Sequence, residues 1–333
     1  MHGLFNVVIP SITTDYRLLR CLNGLNKLKY KKFFVTLILE NKLNVYLVKK
    51  KFNFKVNIIV QTKKINMSEK RNIGVNKFQS KYVAFIDSDA CPDTYWLTNA
   101  LKQFKKGYKV IGGPNIPFKG QSYLQKISYY CKRSFFVTAH YNFIKYKSFN
   151  KVCDWLDSSN FIIKRNLYKS INGMNKELYI GEDHDFFYRL KLKHKNIKIL
   201  FVKNVFVYHE DREIHLYCLQ RFVYGLNVFS AKNTFVKRSI ALVPSLLIIL
   251  IILSGHIFTI SNFFKLFLVA FLFVSTLILY EISKYINKFS ERLFTLFGIY
   301  LVNFFYGIGT LLSLVGFRGY FEKKIYRNIK KNK

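Results

Sequence analysis

Five apolar or aromatic residues, Tyr82-Val83-Ala84-Phe85-Ile86, run straight into Asp87-Ser88-Asp89-Ala90-Cys91-Pro92. A continuous apolar run of this length reads as a strand buried on both faces, and such strands belong to the centre of an open α/β sheet. Ligands in these sheets sit in the crevice beyond the strands' carboxyl ends, where Asp87 and Asp89 fall if Ser88 occupies a turn. Two adjacent carboxylates suit a hard divalent cation, Mg²⁺ or Mn²⁺, that keeps open positions for phosphate oxygens. An Asp-x-Asp triplet by itself equally suits a solvated loop or a helix cap, so its context carries the weight.

That context is an alternation of strands and helices. Strands are expected at Phe5 to Ile9, Phe33 to Leu39, Val56 to Val60, Tyr82 to Ile86 and Val110-Ile111, with helices at Tyr16 to Leu28, about Ser68 to Gln79 and about Thr94 to Lys105. The pattern predicts a parallel, doubly wound sheet. Residues 121–150 are crowded with Tyr, Phe, Lys and His without a clean period and read as a partly helical, membrane-facing insert. The α/β character then resumes, with a strand at Phe161 to Ile163, helices at Arg165 to Ser170 and Asp183 to His194, and a last strand from Val202 to Tyr208 ending at His209.

Half of the 333 residues are hydrophobic, and much of that apolarity lies in the last third. Three stretches, Ser239 to Leu253 (extendable to Ile260), Phe263 to Ile282 and Leu293 to Phe317, approach or exceed the roughly 20 residues that cross a bilayer. The expected organisation is a cytoplasmic domain over 1–238, a membrane region of two or three helices over 239–317 and a basic tail over 318–333. Lys and Arg near the ends of the first two stretches favour two crossings and a cytoplasmic tail. Gly298, Gly307 and Gly309 interrupt the third stretch and suggest an interfacial or re-entrant segment. The formal charge of +36 is spread along the chain among abundant Asn, Ile, Phe and Tyr. It fits coding bias and attraction to anionic lipid or phosphorylated substrates better than specific nucleic-acid binding. Five scattered cysteines without a Cys-x-x-Cys pair indicate neither a zinc site nor a disulfide framework, and the N-terminus shows no signal-peptide pattern.

A second acidic group, Gly181-Glu182-Asp183-His184-Asp185, opens a helix. Carboxylates there satisfy the helix dipole, and they also suit a general base facing the crevice. Asp185 and Arg189, four apart, suit a structural ion pair.

Taken in order, Val8-Ile9-Pro10, Arg71-Asn72-Ile73-Gly74, Ala84-Phe85-Ile86-Asp87-Ser88-Asp89, Gly112-Gly113-Pro114, Asn160 with Lys164-Arg165, Gly181-Glu182-Asp183 with Arg189-Leu190, and Tyr208-His209 resemble the family 2 glycosyltransferases. The resemblance spans about Phe5 to Arg212. It implies a GT-A fold with a doubly wound mixed sheet, followed here by the C-terminal helical membrane region, and an inverting transfer from a nucleotide sugar to a hydroxyl, assisted by Mg²⁺ or Mn²⁺. By resemblance, Asp183 with Glu182 is the catalytic base. Pro10, Ser11, Glu40, Arg71, Asp87, Ser88 and Asp89 face the donor, and Trp155 and Asn160 the acceptor. Asp87, Asp89 and His209 hold the metal, although His209 also suits an ordinary strand end.

The chain departs from the family in two places. Members commonly carry an Asp-rich turn after the second strand, where this chain has Leu39-Glu40-Asn41-Lys42-Leu43-Asn44. It also lacks the Gln-x-x-Arg-Trp motif of processive members, reading Leu219-Gln220-Arg221-Phe222-Val223-Tyr224-Gly225 instead, which implies single-sugar transfer. The expected partners are a nucleotide sugar, a lipid-linked or envelope-glycan acceptor and membrane lipid. A polyprenyl-phosphate acceptor, a catalytically dead scaffold and a nucleic-acid-binding membrane protein are the rival readings.

Overall fold

A computed structural model describes residues 4–12, 14–40, 52–138, 149–229, 243–246 and 261–316. The chain divides into two compact units, Met1–Lys119 with Phe143–Glu210, and Gly120–Asn142 with Asp211–Lys333.

The first unit is built on an eight-stranded sheet. Its strands are β1 (Phe5–Pro10), β2 (Phe33–Leu39), β3 (Lys55–Val60), β4 (Tyr82–Ile86), β6 (Val110–Gly112), β8 (Lys151–Cys153), β9 (Asn160–Lys164) and β10 (Ile199–Phe201), in spatial order β3-β2-β1-β4-β9-β6-β10-β8. β3, β2, β1 and β4 are mutually parallel. Alternate residues of β1 point to opposite faces. Phe5, Val7 and Ile9 join a core with Leu18, Leu22 and Leu25 of α1 (Tyr16–Asn26) and with Trp96, Leu97 and Phe104 of α3 (Trp96–Lys105). Val8 joins the opposite core with Val75 of α2 (Met67–Lys77), Tyr168 of α6 (Arg165–Ser170), and Phe186 and Leu190 of α7 (Glu182–Lys193). Helices thus cover both faces, which is why the central strands are apolar throughout.

The sheet is mixed, as the family resemblance implies and the strand alternation alone does not, because β9 runs antiparallel to both β4 and β6; Phe161-Ile162-Ile163 is apolar on both faces and reads the same in either direction. One strand expectation is corrected. The strand expected from Val202 to Tyr208 begins instead in a turn, closed by the Val205 N–H donating to the Val202 carbonyl at 3.0 Å, so that only β11 (Val207–His209) is strand there, and β10 precedes it where no strand is expected. β11 lies at the centre of a small second sheet, antiparallel to β5 (Ala90–Pro92) and parallel to β7 (Asn115–Pro117). The backbone before β7 passes so close to this turn that a Cβ on Gly113 would lie 2.0 Å from the Val205 carbonyl oxygen, which accounts for glycine there.

The second unit is helical. Part of the aromatic insert forms α4 (Tyr123–Arg133), started by a reciprocal capping box between Ser122 and Gln125, and α5 (Phe135–Thr138). Residues 139–148 lie outside the described residues. With α8 (Ile214–Leu226), α9 (Ser261–Ser283) and α10 (Phe289–Leu314), these helices enclose a core of Ile127, Cys131, Tyr217, Ile278, Ile282, Ile299 and Val302. The acidic groups within it are matched: Glu291 takes Lys126 at 2.8 Å, Asp211 takes Lys132 at 2.7 Å, and Glu281 accepts from Ser134 Oγ at 2.7 Å and the Phe135 N–H at 2.8 Å. Among the described residues, α10 is the one helix long and apolar enough to cross a membrane, and Phe267–Ser283 forms a shorter apolar helix. The first apolar stretch, apart from 243–246, and the basic tail lie outside the described residues.

The glycines of the third apolar stretch do not break it, for α10 is continuous. Gly298 and Gly309 are places of close approach. A Cβ on Gly309 would lie 2.1 Å from the Phe222 carbonyl oxygen of α8, and one on Gly225 would lie 2.1 Å from the Tyr306 carbonyl oxygen. Small residues let the two backbones touch. Gly309→Ala is therefore expected to destabilise this helix pair by about 1–3 kcal/mol, measured as a lower unfolding temperature of the full chain.

Candidate active site

The site lies beyond the carboxyl end of β4. Asp87 closes a turn by accepting the Ala90 N–H at 3.0 Å, placing Ser88 on the turn and Asp87 and Asp89 on either side of it. β5 then pairs with β11 in a register that sets His209 opposite Ala90, which brings His209 Nε2 to 3.4 Å from Asp89 Oδ1. One ligand atom from each of Asp87, Asp89 and His209 lies within 4.8 Å of the others. Two carboxylates and an imidazole, all partly buried, form a donor set that suits Mn²⁺ and tolerates Mg²⁺, so these residues fit the divalent cation implied by the sequence.

Arg71 joins this cluster to the second acidic group. It is buried to 1% exposure on α2, with Nη2 2.8 Å from Asp87 Oδ1 and Nη1 3.2 Å from Glu182 Oε1. A buried guanidinium needs such partners, and its planar fork spans two carboxylates where a lysine could not. The structure thus shows Arg71 bridging two acidic segments. Its sequence neighbours serve the scaffold. Asn72 donates to the Met174 carbonyl and accepts from Tyr168 OH at 2.6 Å, and Gly74 leaves room for Val8 and Ile38.

α7 starts from Gly181, whose φ of 75° is left-handed, and this aims Glu182 and Asp183 out of the first turn. Asp183 Oδ1 accepts the His184 N–H at 2.9 Å, and Oδ2 accepts the Ser158 N–H at 3.4 Å. Withdrawal from water raises the Asp183 pKa above the ordinary carboxylate value, opposed by these N–H groups and by the Arg71 charge. A carboxylate tuned upward is a better proton acceptor than one left in water. Asp185, by contrast, is spent on structure. It binds Arg189 at 2.7 Å, and Arg189 also donates to the Ile171 and Gly173 carbonyls.

The remaining residues divide. The Trp155 ring sits 4.0 Å, centroid to centroid, from the His184 ring, beside the acidic turn of α7. Pro10 ends β1, and the carbonyl of Ser11, the next residue, accepts from Lys70 Nζ at 2.7 Å. Lys70, fully buried, also binds Glu40 at 2.8 Å; residues 41–51 lie outside the described residues. Asn160 is engaged by the scaffold. Fully buried, its Nδ2 donates to the carbonyls of Gly113, Pro114 and Val205, and its Oδ1 accepts from Trp96 Nε1 at 2.9 Å. Asn160→Ala is accordingly expected to cost roughly 1–3 kcal/mol of stability through the stranded partners, seen in denaturant unfolding.

Sequence reasoning passed over Lys70, Ser158, Arg20 and Glu210. Arg20 of α1 binds Glu210 at 2.6 Å, a pairing across 190 residues that no local pattern announces.

The family model for Glycosyl transferase family 2 matches residues 6–171, a segment that holds Arg71, Asp87 and Asp89 and stops short of Asp183 and His209. Mannosyltransferase PcManGT from Pyrobaculum calidifontis, solved with GDP-Man and Mn²⁺, is 12% identical, with 94% of this chain and 88% of that chain covered and a TM-score of 0.65. TarS 1-349 of S. aureus, solved with UDP-GlcNAc, is 14% identical, with 70% and 69% of the two chains covered and a TM-score of 0.47. No curated protein matches the sequence. The fold and the matched segment define an enzyme of the GT-A class. Residues 6–171 form a glycosyltransferase family 2 domain.

Proposed function

We propose that this glycosyltransferase moves one sugar from a nucleotide-sugar donor to a hydroxyl of a lipid-linked or envelope-glycan acceptor, with inversion at the anomeric carbon. The observation that carries the reading is the grouping of Asp87, Asp89 and His209 at the end of β4, tied through Arg71 to the Glu182–Asp183 turn. Mg²⁺ or Mn²⁺ held by these three residues would neutralise the diphosphate of the donor and ease its departure. Asp183 takes the proton of the acceptor hydroxyl. The acceptor oxygen then bonds to the anomeric carbon from the face opposite the leaving group, the old glycosidic C–O bond breaks, and its electron pair leaves with the nucleoside diphosphate. Pro10, Ser11, Glu40 and Ser88 would line the donor site with Asp87 and Asp89, and Trp155 would offer the acceptor a flat apolar face. That PcManGT was solved with GDP-Man and Mn²⁺ supports both donor class and metal.

Membrane anchoring, with the catalytic unit on the cytoplasmic side, is part of the proposal. Its support is α10, together with the exposed apolar residues of α9, among them Val269, Leu272, Phe273 and Leu277. Incubation of the full chain with labelled nucleotide sugars and either a lipid-linked glycan or polyprenyl phosphate tests the acceptor. Label in the glycan is the expected result. Label only in polyprenyl phosphate would assign the lipid phosphate as acceptor, and label in neither would remove the acceptor proposal.

A further inference from the structure

The three candidate metal ligands come from two chain segments more than a hundred residues apart, and the ladder pairing β11 with β5 ends at His209 itself. Something beyond the ladder has to hold that strand end against the Asp87–Asp89 turn. Arg20 of α1 is placed to do so. Its Nη2 lies 2.6 Å from Glu210 Oε2, on the residue after His209, and 3.4 Å from the carbonyl oxygen of Asp89. Its guanidinium carbon lies 3.9 Å from the centroid of the Phe118 ring, so the group has an aromatic floor as well as two polar partners. Tyr16, one turn earlier on α1, sets its hydroxyl 3.5 Å from the other Glu210 oxygen.

We propose that Arg20 is a positioning residue for the divalent-cation site, clamping the His209–Glu210 strand end to the backbone of Asp89 so that the imidazole and the two carboxylates converge. The proposal rests on the reading of Asp87, Asp89 and His209 as metal ligands. A planar guanidinium that donates in two directions while stacked on a ring is pre-organised for this task, and an ammonium group is not. Groups behind the ligands set metal affinity by fixing ligand orientation. Arg20 also neutralises Glu210, which is largely buried and carries a charge beside the cluster.

The sign of the effect separates positioning from simple charge. Arg20 is a cation near a cation site, so on Coulombic grounds alone its removal would tighten metal binding. On the clamp reading its removal loosens it. The experiment is titration of the full chain with Mn²⁺, following free ion by electron paramagnetic resonance, for the wild type, Arg20→Met, Arg20→Lys and Asp89→Ala. The expected results are wild-type binding, its loss in Asp89→Ala, and affinity lowered about 10- to 100-fold in Arg20→Met. Arg20→Lys, which keeps the charge but loses the fork, is expected to fall between Arg20→Met and the wild type. Should Arg20→Met fail to unfold cooperatively, Arg20→Lys decides, because charge alone predicts wild-type affinity for it. Binding at or above wild-type strength in both Arg20 variants, with Asp89→Ala still inactive towards Mn²⁺, overturns the clamp and leaves the metal site standing. A wild type that binds no Mn²⁺, or an Asp89→Ala chain that binds like the wild type, overturns the metal reading and the clamp with it.

Discussion

Asp89→Ala is expected to abolish the divalent-cation-dependent part of nucleotide-sugar binding while leaving the catalytic unit folded. The carboxylate lies on the far side of the Asp87–Ala90 turn, partly exposed and outside both hydrophobic cores. The turn itself is closed by backbone groups of Asp87 and Ala90, so truncation at Asp89 removes a ligand and spares the ladder between β5 and β11. Loss of one of the two carboxylates halves the negative charge that the protein offers a hard cation bound through few carboxylates and the substrate's phosphates. Calorimetric titration with donor, in the presence of Mn²⁺ and after chelation, checks this. The variant is expected to show the same weak binding in both conditions.

Asp183→Asn keeps the size of the side chain and an oxygen for the closer of its two N–H partners, that of His184, but cannot take a proton, so transfer is expected to fall about 10²- to 10⁴-fold. Donor affinity is expected to change little, because Asp183 approaches Ser158 and His184 and not the metal cluster. Loss of fold or of donor binding in this variant would favour helix capping as the role of Asp183. The raised pKa of Asp183 adds a pH signature. As base the carboxyl must be ionised, so wild-type activity should decline on acidification from above the ordinary carboxylate range. Stability runs the other way. A carboxyl whose pKa is raised by folding contributes stability below its unfolded pKa, and that contribution is lost as pH rises through the folded value. Asp183→Asn should therefore flatten both the acid limb of activity and this slope of stability.

The parts of the molecule that local chemistry dictates were legible in the sequence. An apolar run ending in two carboxylates, set among alternating strands and helices, reads as a buried strand opening on a polar crevice, and β4 with its turn is that. The alternation of β1, α1, β2, β3, α2 and β4 followed from short β-rich runs separated by helical spacing, and Asp185 with Arg189 pairs at the i,i+4 distance expected of a helix face. Strand direction was not legible, because the sequence of β9 is equally apolar for either partner orientation. The break between β10 and β11 was hidden for a related reason. Val202, Val205 and Phe206 continue the apolar run across a turn carried by Lys203 and Asn204.

Long-range pairing was the other gap. Arg71 meets Asp87 and Glu182 across 16 and 111 residues, so the sequence marked it as functional without showing that it bridges the two acidic segments. Asn160 shows the converse. It belongs to the ordered motif set, yet its amide is consumed by Gly113, Pro114, Val205 and Trp96, and a motif position alone does not tell a substrate contact from a scaffold bond. In α10, glycine read as a helix interruption because composition carries no information about a neighbouring backbone, and only packing against α8 explains Gly309.

Asp87, Asp89 and His209, as a metal site, are expected to make nucleotide-sugar binding depend on a divalent cation. A calorimetric screen of the wild-type chain against uridine and guanosine diphosphate sugars, with Mn²⁺ and with chelator, measures this. At least one nucleotide sugar is expected to bind at least about tenfold more tightly with Mn²⁺ than with chelator, as when a cation bridges protein carboxylates and a diphosphate. Binding of a nucleotide sugar with the same affinity in both conditions would contradict it.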